Sequence, residues 1–279
     1  GNLISFVDAE GYSWGYTYDK NNRTSSATDG NGNVTTYVYD KDGNLTEIHN
    51  PDGGVERYTY DLNDQVTSYT DGEGYTTSYE YDENGNLIKI TDGRGNSKTA
   101  VYDALNRMTE SIDGKGNVTR YTYDIMGNVT CVENAEGNCQ RYEYNASGKV
   151  TKVTDFDGES IQREYNVLNR PSKVIDKEGR ETLLTYDSMW NLARVTTPDG
   201  ARTTYLYNEE NLLSRIKYAD GAVVRYTYDA NGNRIGEEDE NGAKTTFVYD
   251  ALGRVVEVNG EEGLHYAYRY DGEGNLIEA

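Results

Sequence analysis

The sequence predicts an all-β fold, an antiparallel array of about thirteen 21-residue β-hairpin repeats that forms a curled or spiralling sheet. A tyrosine recurs every 21 residues from Tyr18 to Tyr270, thirteen times without insertion or deletion, and Asp or Asn follows it each time. A glycine recurs with the same period from Gly11 to Gly263. Thr, Val, Ile and Tyr, which favour strands, dominate between these landmarks, and no segment has the apolar spacing of a helix.

One repeat, residues 40–60, illustrates the predicted elements. Its turn phrases, residues 40–43 and 50–53, each end on a Gly and have the form of a type I turn that closes through the left-handed region. Residues 45–48 and 55–60 between them are the predicted strands. The two tyrosines of the second strand alternate onto one face, so we expect them to build the buried face of the sheet.

The closing site of the first turn varies among the repeats. It holds Gly seven times, Asn four times, Asp64 once and Trp190 once. Gly, Asn and Asp tolerate positive φ, whereas a bulky residue does so poorly. Trp190 therefore predicts strain or a reshaped turn.

The odd period constrains the register of the strands. Because side chains alternate along a strand, a plain 21-residue meander would place the tyrosines on opposite faces in successive repeats. The apolar residues of the first strand are spaced by three, as at Leu45 and Ile48. We therefore predict a β-bulge in most repeats, near residues 46–47 and 88–89 and their equivalents, which returns both apolar residues to the tyrosine face.

The acidic composition of the chain excludes some classes of binding partner. The chain has 27 Lys and Arg against 48 Asp and Glu, a net charge of −21, so we expect no nucleic-acid partner and no anionic membrane surface. It has no apolar run of transmembrane length, and we expect no membrane insertion.

The repeat is uninterrupted, so we predict that residues 1–279 form a single array. We expect this array to be a fragment of a larger polypeptide, because it starts and stops within a repeat.

Catalysis is not expected. His49 and His265 are isolated, no Ser-His-Asp or Cys-His set is present, and acidic residues are too frequent for a pair to be informative. Cys131 and Cys139 lie on either side of one predicted turn. A local disulfide or plain packing is favoured over a reactive role, and no nearby Cys or His completes a metal site.

The repeated phrase resembles a known family. It reads Gly-Asn-Leu at residues 85–87, and Asp-Gly-Lys-Gly-Asn at residues 113–117 leads to Tyr121 and Tyr123-Asp124. This pattern resembles the YD or RHS repeats of bacterial Rhs and wall-associated proteins, toxin-complex C components and teneurins. The resemblance covers the whole chain and implies a strip of β-hairpins that winds into a hollow shell.

The resemblance also implies a biological setting. In bacterial members the shell commonly encloses a C-terminal toxin domain, and in teneurins it is part of an adhesion ectodomain. The self-cleaving aspartate-proline motif of many family shells is absent, because none of Pro51, Pro171 and Pro198 follows an Asp. We therefore expect a secreted or cell-surface protein whose partners are the rest of its parent polypeptide and an enclosed toxin domain, with no self-cleavage in this segment.

The residues themselves suggest two kinds of ligand. Asp-rich turns such as residues 40–44 and 82–86 resemble the opening of a calcium-binding loop. The later bidentate Glu of such a loop is missing, and Asp and Asn are ordinary residues in turns. We therefore expect no cofactor, with bound calcium as the alternative. Exposed aromatics could stack on sugars. The candidates outside the regular tyrosine positions are Trp14, Trp190, Tyr12, Tyr69 and Tyr75.

These observations support two functional hypotheses. The first is a structural β-scaffold, part of a shell wall. The alternative is an adhesion module that binds carbohydrate or a cell-surface receptor, which clustering of the five aromatics on one exposed patch would favour. Because no capping repeat is visible, the strand edges at both ends also predict end-to-end self-association.

Overall fold

Two strands alternate along each repeat of the computed structural model, which describes residues 1–279 apart from the side chain of Glu262. Six-residue strands, each ending on one of the periodic tyrosines, are β2 (Ser13–Tyr18), β4 (Val34–Tyr39), β6 (Val55–Tyr60), β8 (Thr76–Tyr81), β10 (Ser97–Tyr102), β12 (Val118–Tyr123), β14 (Cys139–Tyr144), β16 (Ser160–Tyr165), β18 (Glu181–Tyr186), β20 (Arg202–Tyr207), β22 (Val223–Tyr228) and β24 (Lys244–Tyr249).

Five-residue strands follow them: β3 (Thr24–Thr28), β5 (Leu45–His49), β7 (Val66–Thr70), β9 (Leu87–Thr91), β11 (Met108–Ile112), β13 (Val129–Glu133), β15 (Val150–Thr154), β17 (Pro171–Ile175), β19 (Leu192–Thr196), β21 (Leu213–Lys217), β23 (Arg234–Glu238) and β25 (Val255–Asn259). The remaining elements are β1 (Ser5–Val7), a 3₁₀ turn at Glu261–Gly263, β26 (His265–Ala267), β27 (Arg269–Tyr270) and β28 (Leu276–Glu278).

The chain divides into two compact units. Unit 1 consists of Gly1–Tyr123, Cys131–Asn138 and Asp271–Asn275; unit 2 consists of Asp124–Thr130, Cys139–Tyr270 and Leu276–Ala279. In unit 1, strands β1 to β12 each pair antiparallel with the next strand. In unit 2, β14 to β26 pair in the same way, and β27 pairs with β28. The predicted all-β array of hairpins is confirmed.

The predicted bulge is present in the described pairings of a six-residue strand with the five-residue strand after it. Tyr39 lies opposite Leu45 and Val38 opposite Glu47, so Thr46 is the extra residue. The same shift lies between Glu80 and Tyr81 in the pairing of β8 with β9, where Ile88 is the extra residue. Leu45 and Ile48 therefore both lie opposite tyrosines, and the odd period no longer reverses the face of the sheet.

The tyrosine face is half-buried rather than fully buried. In β6, Glu56, Tyr58 and Tyr60 are half-buried while Arg57 and Thr59 are exposed. Among the described residues only Val224, Ser111 and Gly272 are buried, and the exposures of Val224 and Ser111 are 6% and 9%. Neither unit has the closed core that a second packed layer would create.

Each periodic tyrosine donates its hydroxyl to the main-chain carbonyl of the residue fifteen positions earlier. For Tyr60 the acceptor is Leu45, at 2.7 Å. The described pairing of β5 with β6 ends at Glu47 and Arg57, so the phenol supplies a donor to a carbonyl beyond the end of the strand ladder. We call this set of bonds the tyrosine–carbonyl ladder.

The residue after each of these tyrosines organises the first turn. Asp82 accepts the main-chain N–H groups of Asn84 and Asn86 through Oδ1, each at 2.9 Å, and the Asn86 side-chain amide through Oδ2. Asn145 accepts the N–H groups of Ser147 and Lys149 in the same way, which explains why Asn substitutes for Asp at this site. The hydrogen bond from the Asn86 amide is the largest cause that holds the pKa of Asp82 below its ordinary value of 3.8.

Removing one hydroxyl of the tyrosine–carbonyl ladder tests its contribution to stability. The Tyr144 hydroxyl donates to the carbonyl oxygen of the half-buried Val129 at 2.7 Å, and Tyr144→Phe removes this donor. We expect the free energy of unfolding to fall by about 1 kcal/mol, measured as a lower urea midpoint. Tyr75→Phe is the matched control, because its ring is 56% exposed and it lies outside the ladder. Equal effects of the two substitutions would contradict the assigned role.

The turn carboxylates predict acid sensitivity. Their pKa values are lowered in the folded chain, as at Asp82, Asp92 and Asp113, so their contribution is complete above 3.8 and is lost as the pH falls through the lowered folded pKa. We expect the thermal unfolding midpoint to decrease as the pH is lowered from about 4 to about 2. The lowered pKa values mean that these carboxylates protonate at a lower pH than an ordinary Asp does.

Asp82→Asn separates the contribution of one turn carboxylate from the titration of the other acidic residues. The amide oxygen keeps the acceptor of the turn, as Asn145 does naturally, but the group does not titrate. We expect the variant to be less stable than the parent chain at pH 7 and equally stable once the parent Asp82 is protonated. A stability difference that is independent of pH would show that the carboxylate charge has no part in the turn.

Candidate functional site

The N-terminal aromatics pack within the first hairpin of unit 1. Trp14 lies on the tyrosine face of β2 and stacks on Phe6 of β1, with ring centroids 5.7 Å apart and planes 4° apart. Its indole Nε1 is buried without a hydrogen-bond partner among the described residues. Tyr12 is half-buried before β2, and its main-chain N–H donates to Asp8 Oδ1 at 2.9 Å. Both residues are therefore half-buried.

The other two candidates of unit 1 differ in exposure. Tyr69 is half-buried in β7, and its ring centroid lies 5.0 Å from that of Tyr58. Tyr75, in the turn before β8, is 56% exposed. The described ring contacts pair none of the four unit 1 candidates with another one. A glycan-binding role therefore remains a prediction that rests on single exposed rings.

A carboxylate on the tyrosine face was missed by the sequence analysis. Glu56 accepts the hydroxyls of Tyr58 and Tyr69 through Oε2, both at 3.1 Å, and the Asn50 amide through Oε1 at 3.0 Å. Equivalent positions in other repeats hold Thr, as at Thr35 and Thr119. The sequence signal that could have identified this site is the presence of an acidic residue at a position that Thr often occupies.

The electrostatics of this cluster keep its groups in their ordinary charge states. The hydrogen bond from Asn50 is the largest cause that lowers the pKa of Glu56 below its ordinary 4.5. Burial, followed by the hydrogen bond to Glu56, raises the pKa of Tyr58 to about 12. At neutral pH the carboxylate is ionised and both phenols are protonated, so the cluster is suited to holding the two rings in place rather than to transferring protons.

Trp190 combines exposure with an unusual backbone. Its side chain is 39% exposed, and its φ of 65° lies in the left-handed region. The turn is not reshaped, because Trp190 N–H donates to the Asp187 carbonyl at 3.1 Å, as Gly85 does to Asp82 at 3.0 Å. A bulky residue in this conformation costs about 1–3 kcal/mol. The expected strain is therefore carried within an ordinary turn.

The Asp-rich turns use their carboxylates locally. Asp40 Oδ1 accepts the N–H groups of Asp42, Gly43 and Asn44 at 2.8–2.9 Å. An open cleft of about 1010 Å³ beside this turn is lined by both aspartates and by the next turn, which includes Asp61. No group of three or more His, Cys, Asp or Glu side chains placed to hold a metal ion occurs among the described residues. Calcium binding stays a prediction.

Residues with nucleophilic or basic side chains form no catalytic set in the described contacts. His49 Nε2 lies 2.9 Å from Glu47 Oε2, and His265 Nδ1 lies 2.8 Å from Asn259 Oδ1. Cys131 and Cys139 are disulfide-bonded and so are not free thiols. In the part of the chain that the structure describes, no helix is long and apolar enough to cross a membrane.

Similar solved structures share this fold at low sequence identity. A crystal structure titled TcdB2-TccC3-TEV aligns with a TM-score of 0.67 and 16% identity over 99% of this chain and 21% of that chain. A Photorhabdus luminescens Tc holotoxin pore carrying the mutation TccC3-D651A aligns with a TM-score of 0.59 and 12% identity over 95% of this chain and 19% of that one. The chain thus spans about a fifth of the length of these proteins. No match was found among curated proteins.

Two family models match the sequence. The Teneurin YD-shell model matches residues 112–222. The RHS Repeat model matches more than half of the chain, at residues 1–34, 18–55, 60–97, 207–244, 228–263 and 249–279. These matches agree with the 21-residue repeat of the sequence. The chain belongs to the RHS repeat family.

Proposed function

We propose that the chain is a structural β-scaffold, a section of the shell wall of a larger secreted or surface-exposed protein of the YD-repeat class. The tyrosine–carbonyl ladder is the observation that carries this proposal. The residues that distinguish the repeat, its tyrosine and the Asp or Asn after it, are engaged in hydrogen bonds within the sheet and its turns. Such side chains build a wall and are not left free to act on a ligand.

Contacts within unit 1 join parts of the chain that are distant in sequence. Gly272 N–H donates to Asn31 Oδ1 at 3.0 Å, and Gly30 N–H donates to Glu273 Oε1 at 2.9 Å. Residues more than 240 positions apart in the chain therefore meet within unit 1. These contacts add to the pairing of neighbouring strands, which supports a scaffold role.

The comparisons supply the wider setting of the proposal. One similar structure is titled a Tc holotoxin pore, and the matched shell model is that of teneurins. We infer that this segment works together with the rest of a parent polypeptide, that the completed shell encloses a toxin domain, and that the protein is secreted or displayed at the cell surface. The single-array organisation of residues 1–279 is part of the same proposal.

Limited proteolysis tests the enclosing role. In a polypeptide that carries these repeats followed by a further domain, we expect that domain to resist protease until denaturant unfolds the repeats. Deleting residues 61–207, a whole number of repeats, keeps the register of the remaining hairpins and shortens the wall. The shortened protein should lose protection of the following domain. Unchanged protection would contradict the shell proposal.

A binding module is the second candidate, supported by the exposure of Tyr75 and Trp190 at 56% and 39%. A glycan-array screen of the chain, run with calcium and again with EDTA, separates the two functions. The scaffold proposal predicts no reproducible signal in either condition. Binding that Tyr75→Ala or Trp190→Gly abolishes would instead support a module that recognises carbohydrate. Its loss in EDTA would assign a ligand role to the Asp-rich turns.

A further inference from the structure

Unit 2 carries a cluster of basic side chains on the outer face of the sheet, which is the face opposite the periodic tyrosines. These side chains are all exposed and lie on the four neighbouring strands β19 to β22. Among the described residues, the outer positions of these strands hold no Asp or Glu. We call the following residues the basic face: Arg194, Arg202, Arg215, Lys217 and Arg225. Such a concentration of positive charge is unexpected in a chain whose net charge is −21.

One cross-strand pair distinguishes this face from the rest of the array. Arg215 lies directly opposite Arg225. In unit 1 the equivalent positions hold opposite charges, because Glu47 lies opposite Arg57 and its Oε1 is 3.2 Å from the Arg57 Nε. Like charges directly opposite each other on a sheet are destabilising. An anion bound between the two guanidinium groups would remove this repulsion and so would be favoured at this position.

Neighbouring carboxylates leave most of this positive charge uncompensated. The Nη1 of Arg225 lies 2.7 Å from Glu238 Oε1 in β23, whereas the other four members of the basic face form no ion pair with a described residue. Lys173 in β17, by contrast, lies 3.2 Å from carboxylate oxygens of both Glu164 and Glu181. At physiological salt the screening length is about 8 Å, so acidic residues farther away hardly reduce the local positive potential.

Hydroxyl groups lie between the basic side chains. Thr204 in β20 lies opposite both Arg194 in β19 and Lys217 in β21. A row of guanidinium, hydroxyl and ammonium groups therefore crosses three strands at intervals of about 4.8 Å. Guanidinium and ammonium groups form charge-assisted hydrogen bonds to oxyanions, and a hydroxyl donates a further one. The row is suited to a ligand that carries several oxyanions along its length.

The turns at both ends of these strands restrict the shape of that ligand. Asp199 and Asp220 lie in the turns at one end, and Glu209 and Glu210 lie in a turn at the other end. Strands of five or six residues span about 17–20 Å, so a wide anionic surface such as a membrane would also meet these carboxylates and be repelled. A narrow chain that runs across the strands, between the two sets of turns, avoids them.

The chemistry of the face favours polysaccharide over nucleic acid. Among the described outer residues of β19 to β22 there is no aromatic side chain. Proteins that bind single-stranded nucleic acid supply aromatic rings on which the bases stack. A sulfated polysaccharide needs no such ring, because cationic and hydroxyl groups bind its sulfates.

We propose that the basic face binds a linear sulfated polysaccharide that lies across strands β19 to β22. Its sulfates contact the basic side chains, and one of them lies between Arg215 and Arg225. This binding goes beyond the scaffold role, because it uses the outer face of the sheet and leaves the tyrosine–carbonyl ladder unchanged. The basic face also does not include Tyr75 or Trp190, the exposed rings of the second candidate function.

Heparin, a sulfated polysaccharide, is the probe, and the protein is the whole chain. We expect saturable binding of fluorescein-labelled heparin that weakens as NaCl is raised from about 0.05 M to about 0.5 M, because the ionic contacts are screened. Heparin whose sulfates have been removed should bind about tenfold or more weakly. Equal binding of the desulfated chain, or no binding of heparin at low salt, would overturn the proposal.

Arg215→Glu separates binding from folding. The new carboxylate faces Arg225 as Glu47 faces Arg57, so an ion pair replaces the like-charge pair. We expect the thermal midpoint to rise while heparin binding weakens about tenfold or more. Partial unfolding cannot imitate this combination, because it would lower the thermal midpoint. A folded variant that binds heparin as strongly as the parent chain would overturn the proposal.

Lys41→Glu is the control for net charge. It changes the charge of the chain by the same amount as Arg215→Glu, but Lys41 lies in a turn of unit 1 with its side chain 89% exposed. Heparin affinity should change by less than about twofold. Equal weakening by the two substitutions would show that only net charge matters, against the proposal. Arg202→Gln with Lys217→Gln removes two charges of the basic face without adding a carboxylate, and it should also weaken binding about tenfold or more.

Two further probes separate the sulfated polysaccharide from other polyanions. One is a vesicle of phosphatidylserine and phosphatidylcholine, and the other is a single-stranded oligothymidylate. We expect heparin to bind more tightly than either probe at equal salt. Tighter binding of the vesicle would indicate a membrane-binding surface, and equal binding of the oligonucleotide would indicate a general polyanion surface. Either result would overturn the assignment.

The glycan array separates this surface from the two candidate functions. The scaffold role alone predicts a blank array, and the basic face adds a signal confined to sulfated glycans. Arg215→Glu should remove that signal, whereas Tyr75→Ala and Trp190→Gly should leave it. Loss of the signal in Tyr75→Ala or Trp190→Gly, with Arg215→Glu unaffected, would overturn the proposal. Protease protection of a following domain does not depend on the basic face, so failure of one proposal leaves the other intact.

Discussion

The hydrogen bond from each periodic tyrosine to the carbonyl fifteen residues earlier is the interaction on which the rest of the structure depends. It joins the end of one strand to the start of the strand before it, where the ladder of main-chain bonds has stopped. The phenol ring meanwhile covers the half-buried face, so one side chain supplies apolar area and a polar donor. Tyrosine is suited to this site because phenylalanine lacks the hydroxyl and shorter hydroxyl side chains lack the reach.

The turns and the bulge make that bond repeatable. Asp or Asn after the tyrosine accepts the main-chain amides of the turn, and a residue with positive φ closes it. The bulge absorbs the odd residue of the 21-residue period, so the next tyrosine returns to the same face. Each device is local, and its repetition gives an array whose stability is spread among neighbouring repeats rather than concentrated in one core.

This way of building a sheet bears on function. With few fully buried side chains in the described chain, ordering depends on repeated hydrogen bonds along the strip. The departures from the repeat are then informative. Glu56 changes the chemistry of the tyrosine face, where its carboxylate gathers two phenols, whereas Trp190 changes the outer edge and keeps the turn. Substitutions in the turns change the exposed surface of the array, whereas the hydrogen bonds of the sheet are kept.

The sequence by itself determined the hairpin array, the positions of the turns, the alternation of the tyrosines and the bulge near Thr46. These features depend on side-chain alternation and turn chemistry, which act over a few residues and so are legible in the sequence. Only the tertiary structure decided which carbonyl each phenol reaches, that Glu56 binds Tyr69 of the next strand, and that Gly30 meets Gly272. The first two contacts depend on how neighbouring strands pair, and the third joins residues more than 240 positions apart, so no short stretch of sequence contains them.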